Sequence, residues 1–200
     1  MLSLRIGNLN ISVSFWFFAA IGFFLLYSHS VLFWYLMMPI VLHELGHLIA
    51  IYICGGSVSA VRFRAFGVDI EKGGGQMSYA KDIVITLAGA AVNLAAAGVL
   101  HAATTYPTMR SMLLVAVNLA AAAFSLLPVG NLDGGAIVRL IAERLGGVGF
   151  AYHASRFCSF LVLAPLFAVA FWLLIGPQQN FTLLVVCIYL AGVVCSGEGF

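Results

Sequence analysis

The 200-residue chain is strongly apolar and carries few charges. Hydrophobic residues make up 63% of it and charged residues 8%, whereas about a quarter of the residues in a typical soluble domain are charged. This composition excludes a soluble domain and predicts a polytopic membrane protein that forms one domain, residues 1–200. The net charge of +2 without a basic cluster gives no support to nucleic-acid binding. The four cysteines form no C-x-x-C pair, so neither a disulfide framework nor a thiolate zinc site is indicated.

The chain begins with a short polar lead, residues 1–10, which has the pattern of an interfacial strand. The apolar run that starts after Arg5 lacks a small-x-small cleavage site, so we interpret it as a retained span and not as a signal peptide. About 20 apolar residues suffice for a helix to cross a bilayer. On that basis we predict six membrane spans, at residues 11–27, 31–54, 80–103, 109–127, 158–175 and 181–194.

The segment Ser57–Gly75, between the second and third predicted spans, is too polar to cross a membrane. Within it, Val61 and Phe63 alternate with Arg62 and Arg64, and this period of two predicts a strand. The predicted fold class is therefore an all-α polytopic membrane protein with six spans and a small membrane-associated β-hairpin or sheet between the second and third.

The basic residues predict how the chain is oriented in the membrane. Six spans put both termini on the same side, and the side rich in Lys and Arg is normally cytoplasmic. With the N-terminus in the cytoplasm, Arg110 alone lies outside. The basic residues on the cytoplasmic side are then Arg5, Arg62, Arg64, Lys72, Lys81, Arg139, Arg144 and Arg156. We therefore predict that both termini are cytoplasmic.

The second predicted span contains a zinc-protease motif. His43, Glu44 and His47 have the spacing H-E-x-x-H. On a helix the two histidines are one turn apart on the same face, so both imidazoles can reach one metal ion. A charged residue near the bilayer centre costs roughly 2.5–3.5 kcal/mol on insertion scales. This cost favours a metal site, with Glu44 beside it as the residue that transfers a proton.

Two histidines leave a catalytic zinc site one ligand short, because such sites have three protein ligands and an open fourth position. Asp133 follows the apolar fourth span, which breaks at Pro128, and it precedes two glycines that allow close backbone approach. We therefore predict that His43, His47 and Asp133 bind one zinc ion. A role for Asp133 as the N-cap of an amphipathic helix over residues 134–145 remains an alternative. The other acids lie in polar surroundings, where a solvated role is the simpler interpretation.

Five further residues are candidates for supporting the site or for contacting substrate. They are Asn93, Asn118, Ser125, Pro128 and Gly134. For the polar three of them, hydrogen bonding between helices is an equally good interpretation.

The two metal motifs also carry a family resemblance. The sequence HELGH at residues 43–47, within one span, and LDGG at residues 132–135, after a later span, resemble the site-2 protease family of intramembrane metalloproteases.

Two weaker motifs extend the resemblance. AGAAVN, residues 88–93, is similar to the A-G-P-x-x-N motif of that family, with Ala90 in place of proline. SLLP, residues 125–128, is similar to its N-x-x-P element, with Ser125 in place of asparagine, and Asn131 stands where many members have a second proline.

The resemblance implies a zinc metalloendopeptidase that cleaves a peptide bond in or near a membrane-spanning segment of a membrane-tethered protein, in the bacterial cell membrane. It also implies that Glu44 is the general base and that the sheet pairs with unwound substrate by strand addition. The layout is most similar to the compact sporulation branch, which cleaves a pro-sigma factor, but the sequence has neither the CBS domain of that branch nor a PDZ insertion. Inhibitory membrane proteins are a further class of partner that the family allows.

Two other classes of function are compatible with parts of the sequence. A catalytically inactive metal-binding scaffold is compatible with the departures at Ala90 and Ser125. An ion transporter would also use intramembrane histidines and acids, but the halves of the chain show no inverted repeat.

Overall fold

The computed structural model describes residues 2–6, 9–15, 17–19, 22, 26, 30–64, 67–73, 77–176 and 180–196. Elements with described bounds are the strands β1 (Leu2–Ile6), β2 (Leu9–Val13), β3 (Ser57–Arg64) and β4 (Gly67–Gly73), and the helices α1 (Ser30–Ile53), α2 (Tyr79–Ala103), α3 (Met109–Ser125), α4 (Asp133–Ile175) and α5 (Thr182–Ser196). The predicted architecture of apolar helices with one small sheet is confirmed.

The apolar helices make this an integral membrane protein. Within the described residues, three helical segments are long and apolar enough to cross a bilayer: Phe33–Ile53, Tyr79–Ala103 and Asp133–Ile175. Helices α3 and α5 are apolar but shorter. Helices α1, α2, α3 and α5 coincide with four of the predicted spans to within two residues at each end.

Helix α4 joins two segments that the sequence predicts separately. Gly147 has φ +77° and ψ −179°, a conformation that a residue with a Cβ rarely adopts. It breaks the helix between the predicted amphipathic segment and the predicted fifth span. The second part of α4 starts well before Cys158, the predicted start of that span.

The sheet has four strands in the order β1-β2-β3-β4. The predicted hairpin is the antiparallel pair β3–β4, and β2 pairs in parallel with β3. Residues Ile11–Val13, which the sequence assigned to the first span, belong to β2. Pairing with β3 holds them in an extended conformation. Much of the rest of that predicted span lies outside the described residues.

The register of the sheet separates apolar from polar residues. One row across the strands is apolar, formed by Leu4, Ile11, Val61 and Ile70, and the row beside it contains Ser3, Ser12 and Arg62. Successive residues of a strand point to opposite faces, so the sheet has one apolar face. Ile70 packs against a buried cluster of Ala50, Ile51 and Ile85. The β3–β4 part of the apolar face is therefore seated on the ends of α1 and α2, whereas Leu4 of β1 is 61% exposed.

The chain divides into two compact units, Met1–Ala122 and Ala123–Phe200. The first contains the sheet, α1, α2 and most of α3. The second has its own buried cluster of Val129, Leu163, Leu190 and Val194, which joins the loop before α4 to α4 and α5. That all 200 residues act as one domain stays a prediction.

Candidate functional site

Helix α1 brings the two motif histidines together in the first unit. Their rings meet edge to face, with centroids 4.7 Å apart and an interplanar angle of 86°. The Nε2 atoms of His43 and His47 are 3.1 Å apart. Two imidazole nitrogens on one tetrahedral zinc ion, with bonds of about 2.0–2.1 Å, would be about 3.3 Å apart. The pair therefore already has nearly the spacing that one zinc ion requires.

A hydrogen bond from α2 fixes the tautomer of His47. Its Nδ1 atom lies 2.8 Å from the backbone carbonyl oxygen of Ile85. A carbonyl oxygen can only accept, so Nδ1–H must donate, which leaves the lone pair of Nε2 available to a metal. Metal-binding histidines usually have such a partner on the second ring nitrogen, and it orients the ring.

Gly89 of α2 leaves room in front of both imidazoles. A Cβ atom at this position would lie 2.5 Å from Nε2 of His47 and 2.6 Å from Cε1 of His43. Gly46 of α1 lets the backbones of α1 and α2 approach closely, since a Cβ atom there would lie 2.7 Å from the carbonyl oxygen of Ala88. Small residues permit this close approach in membrane helices. The sequence motifs did not predict these roles, although a glycine in each of two apolar helices is a signal of close helix packing.

The remaining candidates of the first unit have different surroundings. Glu44 is half-buried next to His43 in α1. Asn93 and Asn118 are both fully buried. The Nδ2 of Asn118 donates to the carbonyl oxygen of Leu114 at 2.8 Å, within its own helix. Neither the Oδ1 nor the Nδ2 atom of Asn93 has a hydrogen-bond partner within the part of the chain that the structure describes.

The other predicted site residues belong to the second unit. Helix α3 ends at Ser125, Pro128 lies in the loop that follows, and α4 begins at Asp133. Leu132 occupies the N-cap position, so Asp133 is the first helical residue and not the cap that the alternative interpretation expected. Its side chain is half-buried, and its Oδ2 atom is shielded from solvent.

The glycines after Asp133 have a packing role that the sequence did not predict. A Cβ atom at Gly134 would collide with the backbone carbonyl of Leu126, and one at Gly135 would collide with the carbonyl oxygen of Gly130. They let the loop pack directly against the first turn of α4. In the second unit this loop-to-helix contact accounts for both glycines.

The donor chemistry of the first unit fits a divalent metal. Two imidazoles offer ring nitrogens at nearly the required separation, and Gly89 carries no side chain in front of them. Zinc binds imidazole nitrogen and carboxylate oxygen readily.

The class of molecule that these features define is a polytopic helical membrane protein with an H-E-x-x-H helix and a small sheet. No family model and no curated protein matches the sequence. Among solved structures, the chain is similar to the site-2 protease from Methanocaldococcus jannaschii. The TM-score is 0.69 at 20% sequence identity, and the match covers 98% of this chain and 94% of that one. The chain therefore has the fold of a site-2 protease, as its sequence motifs predict.

Proposed function

We propose that the protein is an intramembrane zinc endopeptidase of the site-2 protease type. It would hydrolyse a peptide bond in or near the membrane-spanning segment of a membrane-tethered protein. The observation that carries the proposal is the Nε2–Nε2 separation of 3.1 Å between His43 and His47, in a helix long and apolar enough to cross a bilayer. Placing polar side chains in such a helix costs insertion free energy, so their presence indicates a functional site.

We assign His43, His47 and Asp133 as the three ligands of one zinc ion. Support comes from the prepared tautomer of His47 and from the rule that catalytic zinc keeps one position open. Asp133 offers a partly shielded carboxylate in the first turn of α4.

Glu44 is the proton-transfer residue of the proposed reaction. Zinc bound at the three ligands would supply Lewis-acid chemistry to water and to the peptide carbonyl. The Glu44 carboxylate takes a proton from the attacking water as the C–O bond forms, and it gives that proton to the leaving amine as the C–N bond breaks. The hydrogen bond from His47 to Ile85 keeps the imidazole in place throughout.

The sheet offers a way to hold an unwound substrate. Strand β4 is at one edge of the sheet, and its Ile70 packs on the cluster that contains Ile85, the residue that orients His47. An extended chain can add to an edge strand through main-chain hydrogen bonds. A helical peptide bond is shielded by its own hydrogen bonds, so such pairing favours cleavage. With both termini in the cytoplasm, the sheet and the histidine pair face the cytoplasmic half of the bilayer.

The test uses purified protein in lipid nanodiscs and a defined probe peptide. The probe has one apolar segment of about 20 residues, enough to span a bilayer, interrupted near its middle by glycines and flanked by a fluorophore and a quencher. Wild-type protein with zinc is expected to cleave it. Glu44→Gln should keep one equivalent of zinc and lose activity by about 10²–10⁴-fold, the usual contribution of a general base.

Cleavage by Glu44→Gln at the wild-type rate, or cleavage that persists after zinc is removed by a chelator, would refute the proposal. One equivalent of zinc with no turnover by the wild type would instead indicate the metal-binding scaffold that the departures at Ala90 and Ser125 allow.

A further inference from the structure

Asn93 belongs to α2, the helix whose Gly89 lies against the histidine pair. It follows Gly89 by four residues, so the two share a helix face and are about 6 Å apart along the axis. Gly89 is the residue that contacts His43 and His47. A helical side chain leans towards the N-terminus and covers the preceding turn. The amide of Asn93 is therefore directed back over the turn that contains Gly89.

The amide of Asn93 is buried and makes no hydrogen bond within the part of the chain that the structure describes. The residue is 0% exposed, and both amide atoms lack a partner within the described residues. Burying an unpaired amide is unfavourable, because the hydrogen bonds that it made to water are lost and not replaced. Two other buried polar side chains of the helices make at least one local bond. The Nδ2 of Asn118 donates to the carbonyl oxygen of Leu114, although its Oδ1 has no partner within the described residues. Ser159 donates to Ser155 and accepts from the backbone of Gly130.

An asparagine amide has the same donor and acceptor as a peptide bond. It can bond a main chain only where N–H and C=O are not already paired, which is true of an extended segment and not of a helix. We propose that Asn93 binds the main chain of an unwound substrate segment next to the histidine pair. This inference rests on the proposed function and assigns to Asn93 the recognition of the extended form of the substrate.

The test measures binding and cleavage of the probe peptide by wild type and by Asn93→Leu, which has a similar volume and no polar group. Binding is measured in the Glu44→Gln background so that the peptide stays intact. Losing the amide contacts should raise Kd and KM about tenfold, the factor that corresponds to about 1.4 kcal/mol, and should change kcat less. The unfolding temperature should stay the same or rise, because an unpaired buried amide has been removed.

The matched control is Thr86→Val on the same helix. Its hydroxyl already donates to the carbonyl oxygen of Asp82, so this variant should leave probe affinity unchanged. A second set of probes replaces single backbone N–H groups around the cleavage point with N-methyl groups. One such N-methylated probe should bind about tenfold more weakly than the unmodified probe to the protein that retains Asn93. Its affinity should not fall further in the Asn93→Leu protein, because both changes remove the same hydrogen bond.

Several outcomes would overturn the inference. If Asn93→Leu lowers the unfolding temperature and leaves Kd and KM unchanged, the amide is structural. If the unfolding temperature, Kd and KM all stay the same, the amide is satisfied by water. If the probe does not bind the protein with asparagine at position 93, the inference is equally wrong. Failure of the proposed function looks different. The wild type would then not cleave, while probe affinity would still depend on Asn93.

Discussion

The space that Gly89 leaves in front of the imidazoles can be filled by a single methyl group. In Gly89→Ala the new Cβ would lie 2.5 Å from Nε2 of His47, whereas ordinary contact begins at 3.4 Å. The ring or the helix must therefore move by about 0.9 Å. The movement is opposed by the packing of α1 on α2 and by the bond from His47 to Ile85.

The size of this displacement determines the expected effect. Zinc–nitrogen distances are confined to about 0.2 Å around their ideal values, so a shift of 0.9 Å disrupts a bond to zinc. We expect zinc affinity to fall by about a hundredfold, the upper end of what orienting residues contribute. Overpacking would lower the free energy of unfolding by about 1–3 kcal/mol.

Gly98→Ala is the matched control on the same helix, since a Cβ there would meet nothing within 4 Å. Zinc affinity of both variants is measured by competition with a chromophoric chelator, and folding by thermal unfolding in detergent. Gly98→Ala should bind zinc as the wild type does. Wild-type zinc affinity in a folded Gly89→Ala protein would show that the space between Gly89 and the histidines is not part of the metal site.

Two further predictions concern the second unit, and each has its own control variant. Asp133→Ala should lower zinc affinity by at least about a hundredfold if its carboxylate is a ligand, with little change in unfolding temperature. Glu143→Ala, another acid of α4, should leave zinc affinity unchanged, and equal affinity in the two variants would exclude Asp133 as a ligand. Gly134→Ala should lower the free energy of unfolding by about 1–3 kcal/mol because of the backbone carbonyl of Leu126. Gly149→Ala, with nothing within 4 Å of its added Cβ, should not lower it, and equal unfolding temperatures would contradict the packing role of Gly134.

Much of the local structure could be read from the residues in order. Runs of apolar residues predicted α1, α2, α3 and α5 nearly to their ends, and the alternation around Arg62 predicted the hairpin β3–β4. The i, i+4 spacing of His43 and His47 was sufficient to place both imidazoles on one face. Each of these predictions depends on neighbours in the chain, where helical or strand periodicity alone sets the geometry.

Contacts between distant parts of the chain could not be read in this way. The start of the first predicted span at residue 11 was wrong, because Ile11–Val13 belong to β2, which pairs with β3 far along the chain. The glycines after Asp133 accommodate the loop from Leu126 to Gly130, a packing role that helical periodicity does not specify, and their predicted approach to the metal stays a prediction.

The sequence by itself determined the chemistry available on α1: two imidazoles and a carboxylate at fixed helical spacing in an apolar helix. The tertiary structure decided how that chemistry is prepared. Ile85, 38 residues from His47, fixes its tautomer, and Gly89 leaves the space in front of both rings. Periodicity specifies which face a side chain occupies, but only the packing of α1 against α2 specifies what that face meets.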